Sequence, residues 1–226
     1  MRVNEIFYSL QGEGFLAGVP SVFVRLSGCP LRCKWCDTKY AWDENSGDEK
    51  SIDEIAAEID NWQCRHIVIT GGEPMINPQL SHLTQKLKTA GKHITIETAG
   101  IVYVPDMPCD LMSISPKLGN SIPQDKKLKT IHKDSRLDLA ALGELIKHYE
   151  YQLKFVIENE SDMQEIEEIL KRLGNINYEK VMLMPQAVTR EELLQKSLMA
   201  AELCKRTGLA FSQRLQVLLW NNQKGC

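Results

Sequence analysis

The residues best placed to do chemistry are three cysteines in Cys29-Pro-Leu-Arg-Cys33-Lys-Trp-Cys36. Thiols at i, i+4 and i+7 fit one compact loop that can point all three inward. A structural zinc site wants four closed ligands, commonly as two separated pairs, and no second pair follows. His66, His82 and His93 each lie within or beside an apolar run and read as ordinary helix or strand histidines. Three thiolates with no evident fourth describe an iron-sulfur cluster with one iron left open for a substrate or cofactor. The chain has seven cysteines, an odd number that favours thiolate ligation in a reducing compartment over a disulfide framework. Cys64, Cys109, Cys204 and Cys226 are scattered and read as small buried or surface residues.

Further candidates follow short apolar runs: Gly71-Gly72-Glu73-Pro74, Thr98-Ala99-Gly100, Pro116-Lys117 and Pro185-Gln186. The runs themselves read as strands over Ser21–Leu26, His66–Thr70, His93–Glu97, Leu111–Ser115, Gln152–Ile157 and Lys180–Met184, because each is short and rich in Ile, Val, Leu or Phe. Helical periodicity marks Ser51–Asp60, Gln79–Ala90, Leu137–Tyr149, Ser161–Leu173 and Thr189–Arg206. Three of these helices open on the capping-box spacing, at Ser51/Glu54, Ser161/Gln164 and Thr189/Glu192. Strands alternating with helices predict an α/β fold of parallel βαβ units, an open sheet or partial barrel with helices outside. In such folds the functional groups gather at the carboxyl ends of the strands, where all four motifs fall.

The chain of 226 residues is expected to form a single domain, 1–226. Its 43% hydrophobic and 25% charged content is that of an ordinary globular protein. A formal charge of -3 without a Lys/Arg-rich block argues against a nucleic-acid partner. No apolar run approaches the roughly 20 residues of a membrane span, and the first residues lack the pattern of a signal peptide. A cytoplasmic protein with a small-molecule partner is expected.

The CxxxCxxC spacing, Trp35 before the last cysteine and the downstream Gly71-Gly72-Glu73-Pro74 resemble the radical S-adenosylmethionine (radical SAM) superfamily. The resemblance implies a 4Fe-4S cluster on Cys29, Cys33 and Cys36 whose fourth iron chelates SAM, carried by a partial (βα)6-type barrel with a truncated or modified core. Ser9-Leu-Gln-Gly-Glu-Gly14, Val22-Phe-Val-Arg25-Leu-Ser-Gly-Cys29 and Trp35-Cys-Asp-Thr38 are similar to the 7-carboxy-7-deazaguanine synthase family. Its members rearrange 6-carboxy-5,6,7,8-tetrahydropterin to 7-carboxy-7-deazaguanine with release of ammonia, on the route to queuosine and other deazapurines.

That similarity implies a pterin pocket lined by Leu10, Gln11, Gly12 and Glu13. Arg25 would meet the substrate carboxylate, where a planar fork suits a bidentate partner, and Thr70 would meet the pterin edge. Thr38 would be a ligand of Mg2+, an unusual one because Mg2+ ordinarily takes carboxylates and water. SAM would be held by Trp35, Cys36 and Asp37, by Gly72 and Glu73, by Glu97 at its ribose, by Ser115, Pro116 and Lys117, and by Met184 and Gln186. The chain departs from the family pattern in its last expected strand, Gln213 to Trp220, where a substrate-reaching histidine is replaced by Gln216. Glutamine donates and accepts but does not titrate. The terminal carboxylate of Cys226 is expected to reach the pterin. A flavodoxin or ferredoxin-type reductant and a homodimer are implied as well. Two rival readings are a small glycyl-radical activase, against which the Ser9–Gly14 segment and Cys36-Asp37-Thr38 speak, and a non-catalytic iron-sulfur or zinc module.

Overall fold

The structure, a computed structural model, describes residues 1–221, 223 and 225. Among these the strands are β1 (Arg2–Leu10), β2 (Pro20–Leu26), β3 (Asp48–Glu49), β4 (His66–Gly71), β5 (His93–Thr98), β6 (Leu111–Ile114), β7 (Tyr151–Ile157), β8 (Val181–Pro185) and β9 (Ala210–Phe211). The helices are α1 (Ile52–Ile59), α2 (Leu80–Thr89), α3 (Lys126–Ser135), α4 (Leu139–His148), α5 (Asp162–Leu173), α6 (Arg190–Thr207) and α7 (Leu215–Trp220). The strands form one sheet in the order β3-β1-β2-β4-β5-β6-β7-β8-β9. From β2 to β9 every neighbouring pair is parallel, whereas β1 and β3 add an antiparallel edge. The α/β open sheet agrees with the partial barrel expected from the sequence, and its six long parallel strands are the six read there.

Alternation along these strands explains where the core and the cavity lie. Val22, Val24, Leu26, Ile67, Ile69, Ile94, Ile96, Met112, Ile114, Leu153, Phe155, Ile157, Val181 and Leu183 share one buried cluster with Ile55, Leu83, Leu142, Ile166 and Leu203 of the covering helices. Their neighbours Phe23, Arg25, Thr70, Glu97, Ser113, Lys154, Val156 and Met184 line a cavity on the opposite face. A period of two thus gives each strand an apolar back and a functional front.

Between β5 and β6 the chain crosses over without a helix. Residues 99–110 are instead fastened by Tyr149, whose hydroxyl accepts from Met107 N at 2.9 Å and donates to Val104 O at 2.5 Å.

The stretch from Gln213 to Trp220, expected to be a strand, is helical over α7, and β1, β3, β9 and α3 were not foreseen. A six-residue apolar run cannot be assigned to strand or helix by periodicity alone. Val217 buries against Ala187 and Leu193, and the Arg190 guanidinium donates to Leu218 O and Leu219 O, closing the helix end. α3 escaped because KKLKTIHKDS carries no apolar stripe; its one fully buried side chain is His132. Of the three capping boxes, Ser51/Glu54 forms completely. Ser161 makes no cap; Asp162 accepts from Glu158 N and Asn159 N in its place. Thr189 caps Glu192 N at 3.2 Å, and the Glu192 carboxylate reaches one residue further back, to Val188 N.

Phe155 is 0% exposed on the apolar back of β7. Truncation in Phe155→Ala is expected to cost about 3–5 kcal/mol, read as a lower urea midpoint at unchanged slope.

Candidate active site

A cavity of about 300 Å³ opens at the carboxyl ends of the parallel strands. Its walls include both Cys29, Cys33 and Cys36 and the segment Leu10, Gln11, Gly12 and Glu13. The cysteines sit on the loop after β2, pinned where Gly28 N and Cys29 N donate to Ala41 O and Trp42 O at 2.9 and 3.1 Å. From behind, the His132 Nδ1 accepts from Arg32 N at 3.0 Å while Ser121 O accepts from Lys34 N at 2.9 Å. Lys117 lies 5.6 Å from the Trp35 ring centroid and 2.9 Å from Ser115 Oγ.

Burial pushes the Cys29 thiol up to about 12 and the Cys33 thiol up to about 11, with Lys117 opposing the shift at Cys33. Thiolates here therefore call for a positively charged centre. No three His, Cys, Asp or Glu side chains among the described residues converge to hold a single ion. A cluster instead takes one thiolate at each of several iron corners, and the donor set fits that group.

The Gly71-Gly72-Glu73 turn joins this loop to β5. Gly71 has φ +142°, and a Cβ on Gly72 would stand 2.1 Å from Gly28 O, so the two loops touch backbone to backbone. Glu73 N donates to Gly28 O at 2.8 Å. The Glu73 carboxylate, 2% exposed, accepts from Met75 N, Thr98 Oγ1 and Ala99 N at 3.1, 2.7 and 2.7 Å. Burial raises its pKa, against the pull of these donors. Glu73 lies behind the cavity wall and ties β4 to the end of β5.

The cavity also holds a buried charge network centred on Glu13. Its carboxylate meets Lys154 Nζ at 2.9 Å, Arg214 Nε at 3.1 Å and Gln216 Nε2 at 2.7 Å. Arg214 also donates to Asp37 Oδ2 at 2.7 Å and to Ala187 O. One guanidinium therefore links the Glu13 segment, the cysteine loop and the loop after β8. Burial alone would raise the Glu13 carboxyl, but the Lys154 and Arg214 charges outweigh it and hold it well below the usual carboxylate range. Beside it, Gln11 Nε2 donates to Glu97 Oε1 at 3.1 Å, and Lys154 Nζ stands 3.9 Å from the same oxygen. Arg25 is paired with Glu5 at 2.6 Å, and the same carboxylate oxygen accepts from Tyr40.

Most of the residues named from sequence thus share one cavity: Leu10, Gln11, Gly12, Glu13, Arg25, Thr70 and Gln216, the three cysteines, Trp35, Asp37, Thr38, Gly72, Glu97, Ser115, Lys117 and Met184. Glu73, Pro116 and Gln186 are not on its wall; the Gln186 Oε1 accepts from Lys196 at 2.8 Å. Cys226 lies outside the described residues. Sequence reasoning missed Lys154, Arg214, Glu5, Tyr40 and His132. For Lys154 the signal was available, a lysine in the middle of an apolar strand, Tyr151-Gln-Leu-Lys-Phe-Val-Ile157, where an unpaired charge is not tolerated.

Two outcomes follow from this geometry. Arg214→Met leaves Asp37 and part of the Glu13 charge unpaired, and is expected to cost about 3–5 kcal/mol in chemical denaturation, with the double variant E13Q/R214M recovering part of the loss. His132 is 0% exposed and burial lowers its pKa from 6.5 to about 4. A lowered histidine pKa means that protons bind the unfolded chain first, so stability is whole above pH 6.5 and falls as pH drops from 6.5 to about 4. A Tm-against-pH series should show that slope, up to about 1.4 kcal/mol per pH unit, and H132Q should flatten it.

Residues 23–120 match the family model of the radical SAM superfamily. The chain is 42% identical to a 7-carboxy-7-deazaguanine synthase of Halobacterium salinarum over 98% of this chain and 91% of that protein. It is 38% identical to one of Rhodopirellula baltica over 100% of this chain and 88% of that protein. In structure it resembles QueE from Escherichia coli with TM-score 0.73 and 28% identity, covering 93% of this chain and 92% of that one. The chain belongs to the 7-carboxy-7-deazaguanine synthase family of radical SAM enzymes.

Proposed function

We propose that this chain catalyses the reaction of its family, the ring contraction of 6-carboxy-5,6,7,8-tetrahydropterin to 7-carboxy-7-deazaguanine with release of ammonia, as a radical SAM lyase. The observation that carries this reading is that one cavity is lined both by the three cysteines and by Gln11, Glu13, Arg25 and Thr70. Cys29, Cys33 and Cys36 would hold the 4Fe-4S cluster, which with SAM supplies a carbon-centred radical for hydrogen abstraction at the pterin C6.

The chain's own residues then aim and contain the reaction. Glu97, Ser115, Lys117 and Met184 flank the SAM side, with the backbone around Trp35 to Asp37 and Gly72. Glu73 and Gln186 act from behind the wall by fixing the strand-end loops, and Pro116 sits between Ser115 and Lys117 on the SAM side. Arg25, its Nε held by Glu5, presents the rest of its guanidinium to the substrate carboxylate. Glu13 stays ionised beneath its three donors, and Lys154 stays charged because Glu13 and Glu97 outweigh its burial. The pterin is then met by fixed charges and dipoles that do not reorganise during reaction. Gln216, held by Glu13, offers the pterin a hydrogen-bonding amide, so no titration at that position enters the reaction. Thr38, 3.7 Å from Cys36 Sγ, would supply a hydroxyl to Mg2+, with substrate oxygens and water completing an octahedral shell. The reading further includes a single domain, a homodimer, a cytoplasmic location and reduction by a flavodoxin or ferredoxin-type carrier. No helix among the described residues is long and apolar enough to cross a membrane.

Anaerobic turnover of the reconstituted protein with carboxypterin, SAM and dithionite is the deciding assay. 7-Carboxy-7-deazaguanine should form, and SAM cleavage without that product would contradict the substrate assignment. Arg25→Ala removes a charge-assisted contact worth about 1.5–3 kcal/mol, so KM for the carboxypterin should rise on the order of tenfold to a hundredfold, with SAM affinity little changed.

A further inference from the structure

α3 is the most basic element beside the cysteine loop, and the reaction makes no use of its outer face. Lys126, Lys127, Lys129 and Lys133 are all exposed, and against them the helix sets Asp134 and its N-cap Asp125, whose carboxylate accepts from Leu128 N, in a chain whose net charge is -3. None of the four lysines forms an ion pair within 4.0 Å among the described residues. Lys34 on the adjoining loop, by contrast, is engaged with Glu158 at 2.8 Å. Among these lysines Ile131 stands 44% exposed.

The back of the same helix is bonded to the cysteine loop. His132 points inward, accepts from Arg32 N at 3.0 Å and meets Ser121 Oγ at 2.8 Å, and Ser121 O accepts from Lys34 N at 2.9 Å. Both loop donors lie between Cys29 and Cys36. A face with a surplus of unpaired lysines and one apolar side chain among them, on a helix bonded through His132 to the loop that carries the three thiols, is the arrangement that steers an acidic protein into a brief, productive encounter.

We propose that the lysine face of α3 is the docking surface for an acidic one-electron carrier protein, which delivers its electron across the Arg32–Lys34 segment. The inference rests on the reading of Cys29, Cys33 and Cys36 as cluster ligands. Because four charges act together over a short range, association should weaken steeply with ionic strength.

The test compares SAM cleavage by the holoenzyme driven by dithionite, which needs no docking surface, with cleavage driven by reduced flavodoxin as the acidic carrier. The variant K126E/K127E/K129E/K133E is set beside a control reversal on distant helices, K147E/K171E. The expected result is that the quadruple variant keeps its dithionite-driven rate and iron content, loses tenfold or more of its flavodoxin-driven rate at low salt, and loses the salt dependence of that rate; the control keeps all three. Full flavodoxin-driven activity in the quadruple variant, an equal loss with dithionite, or an equal loss in the control overturns the docking surface. Absence of dithionite-driven SAM cleavage in the unsubstituted protein is a different failure, since it overturns the reading of the site and the docking surface with it.

Discussion

A carboxylate buried at the mouth of a barrel must be answered by positive charge from wherever the chain can bring it. For Glu13 the answer comes from Lys154 at 2.9 Å in the middle of β7 and from Arg214 at 3.1 Å just ahead of α7. These residues are far apart in sequence, so the ion pairs join the segment after β1 to the middle of β7 and to the turn before α7. Arg214 extends the bond to Asp37, the residue after Cys36. The segment that would read the pterin and the loop that would hold the cluster are thereby fixed against each other. The network is costly to bury, and removing one member leaves the others uncompensated. Its value is positional.

The rest of the architecture makes that network affordable in structural terms. The six long parallel strands turn apolar residues outward, under the helices, and polar or functional residues inward, so the barrel interior includes Arg25, Thr70, Glu97, Ser113 and Lys154 while its jacket is Ile, Leu and Val with Met112 and Phe155. Backbone contacts then set the loops at the mouth. Gly72 lets the β4 loop lie directly on Gly28, and Glu73 gathers Met75, Thr98 and Ala99 around one carboxylate. Neither residue needs to touch a ligand to matter, because both decide how close the cysteine loop comes to the end of β5.

Local chemistry made much of this legible in the sequence. The six parallel strands announce themselves as short Ile/Val-rich runs, and Cys29, Cys33 and Cys36 are recognisable because thiols at that spacing have little structural reason to coincide. Long-range chemistry was harder to see. Nothing near Glu13 in sequence announces Lys154 or Arg214, and α3 has no apolar stripe because a single buried histidine anchors it. The terminal run 213–220 reads equally as strand or helix until Val217 finds Ala187 and Leu193. Glu73 and Gln186 were expected to face a ligand, and their side chains turn to the protein instead, since a buried polar group takes the nearest partner.

The most direct test of the central claim, that three thiolates hold a cluster whose remaining iron is open to SAM, is EPR spectroscopy of the reduced, anaerobically reconstituted protein with and without SAM. The expected result is iron and sulfide at about four each per chain, with a cluster signal that changes on addition of SAM and is absent when any of Cys29, Cys33 or Cys36 is replaced by Ala. A protein that binds only zinc, or a cluster signal indifferent to SAM, would contradict it.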